Sequence, residues 1–404
     1  MNATEHSPRD FRLYLAARFI TLCSYQMLNV ALGQYIYLLT KNPLYLGYIG
    51  LALFVPKFAL IIPAGHLADR FDRRSIIFIA RLSQLAIALA LFFTVKEGHG
   101  TLGLIYLLVF LTGAANAFDG PASQAFVPQL VPPGGLRNAI TWNSALMQLS
   151  FIVAPPAAGA LYAFFGEALP VFGVLAALRG IAALLIYAVR PRPPQREEGE
   201  ITWHTFFAGI RYVFQKKIIL GAISLDLFAV LFGGAVALLP VYANDILHVG
   251  ASGLGFLRAA PALGAGLLAA IMVRLPPFQR TGRILFAAVA VFGIFTILFG
   301  VSKNFYFSLA CLFILGAADM VSVVIRGVLV QMRTPPEMRG RVSAVNLIFI
   351  GASNELGEFE SGVTARWFGT IPSVVLGGLG TLAVVGLWMC RFPELRKYKR
   401  LEEN

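Results

Sequence analysis

The sequence predicts an all-α polytopic membrane protein, with twelve transmembrane helices arranged as two pseudo-symmetric six-helix bundles. Three observations lead there. Of 404 residues, 58% are hydrophobic and 13% are charged, with a mean hydropathy of +0.74; soluble domains carry about 25% charged residues. Apolar runs of about 20 residues, the length that crosses a bilayer, recur along the chain. Lys and Arg are concentrated in alternate loops, so a net charge of +13 speaks for membrane orientation rather than for a nucleic-acid partner.

The apolar runs fall at 12–40, 44–66, 75–95, 101–127, 139–164, 170–190, 218–243, 251–272, 284–301, 305–332, 342–368 and 372–390. Between them, the loops on the side opposite the N-terminus carry only Lys41, Lys96 and Lys303. The positive-inside rule then places both termini in the cytoplasm. The start, MNATEHSPRDFRLY, lacks the basic-apolar-cleavage pattern of a removable signal. Cys23, Cys311 and Cys390 fall inside runs at no metal-ligand spacing and imply neither a disulfide nor a metal.

The longest polar stretch divides the chain into a bundle at 1–190, a cytoplasmic linker at 191–217 and a second bundle at 218–404. The linker opens Pro-rich and charged. Its second part spaces Trp203, Phe206, Phe207, Ile210 and Phe214 as one face of a helix, the pattern of a helix lying along a membrane surface. The halves repeat weakly. Gly113-Ala114-Ala115-Asn116 recurs as Gly316-Ala317-Ala318-Asp319, and at the same offset Pro132-Pro133 falls on Pro335-Pro336, Ser150 on Ser353 and Gly159 on Gly362.

Between the second and third runs stands Gly65-His66-Leu67-Ala68-Asp69-Arg70-Phe71-Asp72-Arg73-Arg74. It resembles the G-x-L-A-D-R-x-G-R-R signature of the major facilitator superfamily, whose parallel six-helix halves match the repeat. The resemblance implies the major facilitator fold and a gating role for Gly65, Asp69, Arg70, Arg73 and Arg74. In that family the Gly allows close helix approach, and the Asp pairs with loop arginines and a helix end to latch the cytoplasmic side. Asp72 replaces the second Gly, a feature of the branch that contains the bacterial enterobactin exporter. Ala154-Pro155-Pro156-Ala157-Ala158-Gly159 looks like a degraded antiporter motif, G-P-x-x-G-G.

Ionisable residues inside a bilayer are candidates for function. Arg18 and Asp119 lie at similar depth in the first and fourth runs, and Asp226 and Arg326 in the seventh and tenth, with the signs exchanged. Two pairs are expected, Arg18–Asp119 and Asp226–Arg326, serving either as fixed staples or as gates that exchange partners. Lys57 in the second run and Arg179 in the sixth are further cations near mid-depth, with Arg258 nearer the outer end of the eighth, and Asp319 lies near the middle of the tenth run.

The eleventh run carries Glu355, Glu358 and Glu360 within six residues. At 100° per residue, Asn346, Ser353, Gly357, Glu360 and Thr364 form one polar stripe, and Asn354, Glu355 and Glu358 a second. Ile348, Phe349, Leu356, Phe359 and Val363 fill the apolar arc, expected against lipid or apolar helices. The family resemblance implies that the eleventh helix borders a central cavity on one side and the second helix on another. One stripe is therefore expected to face the cavity and the other the second helix, with Lys57 pairing to a glutamate; the sequence leaves open which is which. Carboxyls withdrawn from water can exchange protons near neutral pH. Asp319, Glu355, Glu358, Glu360, Asn354 and Lys57 are therefore the candidate substrate and proton sites. The alternative is that the three glutamates are satisfied interhelical hydrogen-bonding groups.

Function follows as an expectation: a proton-coupled exporter (an antiporter) of an amphipathic small molecule, siderophore or drug-like, working by alternating access. The alternatives are an importer of a siderophore or other small solute and, more remotely, a lipid-modifying membrane enzyme. No G-x-S-x-G, metal-spaced histidine cluster or G-x-x-x-x-G-K-[ST] loop occurs, so neither an enzyme, a cofactor nor ATP is expected. The expected partners are a small-molecule substrate, protons and membrane lipids, around a monomer in a bacterial inner membrane.

Overall fold

The computed structural model describes residues 8–98, 100–132, 134–190, 203–274 and 279–398, and they fold as helices without a strand. Six long helices come first: α1 (Pro8–Thr40), α2 (Pro43–Arg70), α3 (Arg73–Lys96), α4 (Leu102–Leu130), α5 (Leu136–Phe165) and α6 (Leu169–Tyr187). A shorter helix, α7 (Trp203–Gln215), precedes α8 (Lys217–Phe232), which continues through a 3-10 turn, α9 (Leu239–Val241) and a π turn. The remaining long helices are α10 (Gly250–Met272), α11 (Thr281–Val301), α12 (Phe305–Arg333), α13 (Pro336–Phe368) and α14 (Thr370–Arg391), followed by α15 (Pro393–Lys397).

Eleven helices of the described residues, counting Lys217–Ile246 as one, are long and apolar enough to span a membrane. The twelfth, α13, has the length, 33 residues, but its carboxylates lower its hydropathy. The twelve-helix expectation is therefore the fold found. Several helices outrun their apolar runs: α2 continues to Arg70, because His66–Arg70 holds no helix breaker and leaving the hydrocarbon does not end a helix. The seventh run was expected as one helix, yet α8 stops at Gly233. Gly234 lies against the Gly357 carbonyl of α13, where a β-carbon would collide, and Pro240 downstream offers no N–H.

The chain divides into two compact units, one of Met1–Tyr35 and Ala52–Thr202, the other of Ile36–Leu51 and Trp203–Asn404. The first has a core around Tyr14, Ile77, Phe126, Leu130 and Ile186, with Tyr14 edge-on to Phe126 at 5.8 Å. The second centres on Leu225, Leu285, Phe286, Ile325 and Leu329. Residues 36–51 group with the second unit for a packing reason. Tyr48 stacks on Phe359 at 5.9 Å, and the Tyr37 hydroxyl donates to the Asp245 carboxylate. A β-carbon at Gly47 would stand 3.0 Å from the Phe359 carbonyl oxygen, and one at Gly50 2.7 Å from that of Glu355. Only bare backbone permits this approach.

In α7, Val213 is buried with Ile219, Ile223, Val330 and Val342, and Gly209 lies on the Arg341 backbone. Phe207 and Phe214 stay exposed, leaving an apolar strip on the other side. The side chains of Trp203 and Phe206, and the linker 191–202, lie outside the described residues.

Candidate functional site

In the first unit, Asp119 of α4 is the centre of a buried ionic cluster. Arg18 of α1 approaches its Oδ2 at 3.4 Å, and Arg81 of α3 lies 3.1 Å from its Oδ1. The Ser123 hydroxyl donates to Oδ1 at 3.3 Å. Arg81 is 1% exposed, so its charge is compensated inside the protein or not at all. The sequence paired Asp119 with Arg18 and overlooked Arg81, although a basic residue in the middle of the third run was signal enough. Nearby, the buried Arg179 donates to Ser24 Oγ at 3.0 Å and to the Gln84 carbonyl at 2.8 Å, while Gln84 Nε2 donates to Asn116 Oδ1 at 2.8 Å.

The second unit repeats the scheme with the signs exchanged. Asp226 of α8 is ion-paired with Arg326 of α12, and both are buried. Asp226 and Asp319 line one small cavity with Ser322, Ala318, Val289 and Phe292. Its 10 Å³ of space for a water centre is the room of one water molecule. Asp319, Ser322 and Arg326 recur at helical spacing along one face of α12. The cavity thus brings together one carboxylate neutralised by an arginine, a second carboxylate and a hydroxyl.

On α13 the stripe of Glu355 and Glu358 lies against the start of α2. A β-carbon at Gly50 would be 3.0 Å from Glu358 Oε2. Among the described residues, Arg258 of α10 and Glu355 are charged groups close enough to act on Glu358. Gly357, from the other stripe, faces α8, where a β-carbon would stand 2.9 Å from the Leu231 carbonyl. Glu360 is half-buried and Asn354 exposed, with its Nδ2 donating to the Ile350 carbonyl at 2.9 Å. Phe359, expected against lipid or an apolar helix, stacks on Tyr48 of α2. Lys57 is half-buried in the α2 segment that belongs to the first unit.

Arg73 is buried and donates to the Ala68 and Ala125 carbonyls at 3.3 and 2.7 Å. Arg74 donates to Ile186 and Tyr187 carbonyls at the end of α6 and lies over the Tyr187 ring. Arg73 at Ala68 and Arg74 at Ile186 thus brace the ends of α2 and α6 inside the first unit, a favourable place for cations. Arg70 is exposed, and the Asp69 side chain lies outside the described ones. Among the described residues, nothing lies within 4 Å of where a β-carbon at Gly65 would stand. Asp72 has a role of its own as the N-cap of α3, accepting from the Ser75 N–H at 3.0 Å and the Arg74 N–H at 3.3 Å.

The family model described as Major Facilitator Superfamily matches residues 14–357. Curated relatives include the enterobactin exporter EntS of Escherichia coli O1:K1 and that of Shigella boydii serotype 18. Each is 25% identical over 390 residues, covering 96% of this chain and 93% of the relative. Among solved structures, a mutant form of the nucleoside transporter NupG superposes with a TM-score of 0.77 at 14% identity, over 95% of this chain and 100% of that one. A bacterial homolog of the human lysosomal transporter Spinster gives 0.76 at 15% identity, over 98% and 100%. These two show the fold. With a family model spanning most of the chain, and eleven helices among the described residues long and apolar enough to cross a membrane, the chain is a multi-pass transporter rather than an enzyme, and belongs to the Major Facilitator Superfamily.

Proposed function

We propose that the protein is a proton-coupled antiporter that exports a siderophore-like amphipathic molecule from a bacterial cytoplasm, with both termini on the cytoplasmic side. The observation that carries the proton coupling is Asp319 beside the Asp226–Arg326 pair in a water-sized cavity. An acidic group inside a membrane bundle is costly unless it is used. The repeat sharpens the point, since the matching residue of the first half is the uncharged Asn116, held by Gln84. Glu355, Glu358 and Glu360 supply further carboxylates along α13, and Asp319 with these glutamates forms the proposed substrate and proton site. The direction and the substrate class rest on relatives named as enterobactin exporters, at 25% identity over nearly the whole chain.

Transport proceeds in this reading by alternating access: carboxylates protonated from the acidic outside release the substrate there and take up another after losing the proton inside. Everted membrane vesicles made from expressing cells test it. Energised so that their interior is acid, they accumulate enterobactin, and a protonophore abolishes the accumulation. Accumulation in right-side-out vesicles with acid outside, and none in everted ones, would establish uptake instead.

A further inference from the structure

Beyond the transport path, the second unit has a cleft where α14 turns into α15. After Arg391 the chain reverses, and the short α15 folds back on the bundle. Leu395 is fully buried, Trp388 Nε1 donates to Ser224 Oγ at 2.9 Å, and a β-carbon at Gly221 would meet the Phe392 ring at 2.9 Å. Arg333 lies 4.9 Å over the Tyr398 ring and donates to its hydroxyl at 3.1 Å, fixing the far end. The held strap and the start of α8 enclose a cleft of about 220 Å³ lined by Lys217, Cys390, Arg391, Phe392, Pro393 and Glu394.

Lys217 is the first residue of α8 and Arg391 the last of α14, so the cleft opens where two spans leave the hydrocarbon, at headgroup depth. Lys217, Arg391 and Glu394 are all exposed to whatever occupies it. Two cations suit a phosphate; the carboxylate repels a bare one, yet suits an ammonium beside it. We propose that this cleft is a phospholipid headgroup site, in which Lys217 and Arg391 hold the phosphate and Glu394 a primary amine on the same headgroup. Basic pockets at the ends of membrane helices are suited to lipid phosphates, and the pinned strap makes this one preformed.

The native Cys390 reports on it, because it lines the cleft and is exposed, whereas Cys23 is half-buried and Cys311 buried. The full chain is placed in nanodiscs of dioleoyl phosphatidylethanolamine mixed into phosphatidylcholine, of phosphatidylglycerol in phosphatidylcholine, or of phosphatidylcholine alone. A further sample in detergent receives inorganic phosphate. The mass shift from a water-soluble maleimide is followed at Cys390. The expected result is labelling several-fold slower with phosphatidylethanolamine than with phosphatidylcholine alone, and little protection by inorganic phosphate. Lys217→Ser with Arg391→Ser removes the protection, and Glu394→Gln, a mild surface change, makes phosphatidylethanolamine and phosphatidylglycerol equivalent. Equal rates in all lipids, protection by inorganic phosphate as strong as by lipid, or protection that survives the double substitution would overturn the proposal.

Discussion

Asp319 and Asp226 face the same water-sized cavity in the second unit, and Arg326 is ion-paired with Asp226. The two carboxylates should therefore respond oppositely to neutralisation. Asp319→Asn is expected to keep the protein folded and to abolish the response of transport to a pH gradient. Asp226→Asn strands the buried Arg326 charge and should cost about 3–5 kcal/mol of stability. Thermal unfolding in detergent, set beside gradient-driven transport, separates the two effects.

The cluster around Asp119 makes a similar prediction. Arg81→Met removes the most deeply buried of its cations, and a loss of about 3–5 kcal/mol is expected. Because an ion pair can be replaced by apolar residues of similar volume at little cost, Arg81→Met together with Asp119→Leu should be less damaging than the sum of the two. Arg18 then retains no carboxylate, but it is the more exposed arginine, at 16% for its side chain, and can draw water. A double-mutant cycle on unfolding temperature checks this.

Close helix approach predicts which glycines matter. Gly50→Val drives a side chain into the Glu355 carbonyl and Glu358, and Gly234→Val one into Gly357. Each should cost about 1–3 kcal/mol or more. Gly65→Ala, at the signature position, should be nearly neutral for stability, because the space beside it is open. Comparing the unfolding temperatures of the three variants decides the matter; a collapse of Gly65→Ala alone would reverse this ranking.

Asp72 can be tested as a cap. Asp72→Ala should lower stability by about 1 kcal/mol, Asp72→Asn by less, and Asp72→Gly, which restores the family pattern, by a few tenths. Hydrogen exchange at the Arg74 and Ser75 amides, which Asp72 receives at 3.3 and 3.0 Å, should quicken in the alanine variant.

Much of the fold was legible because a bilayer imposes one demand on every span: length, apolarity and positive charge on one side mark twelve of them. The pairs Arg18–Asp119 and Asp226–Arg326 could be matched by depth alone. Arg81 escaped because α11, its counterpart in the second half, carries no charged residue between Arg283 and Val301, so the repeat gave no hint of it. The break at Gly233–Gly234 was hidden in an apolar run, where paired glycines interrupt no hydropathy. Periodicity separated the stripes of α13, but which neighbour covers each depends on the bare backbone of Gly50 and on the carbonyls of α8, and those contacts are tertiary.

The most direct measurement is proton movement in proteoliposomes of the purified protein with a pH-sensitive dye inside, after enterobactin is added on one side. The proton-coupled reading predicts that enterobactin drives proton flux in the opposite direction, and that the flux is lost in Asp319→Asn and reduced in at least one of Glu355→Gln, Glu358→Gln and Glu360→Gln. Enterobactin transport without proton flux, or flux unaltered in all four variants, would contradict it.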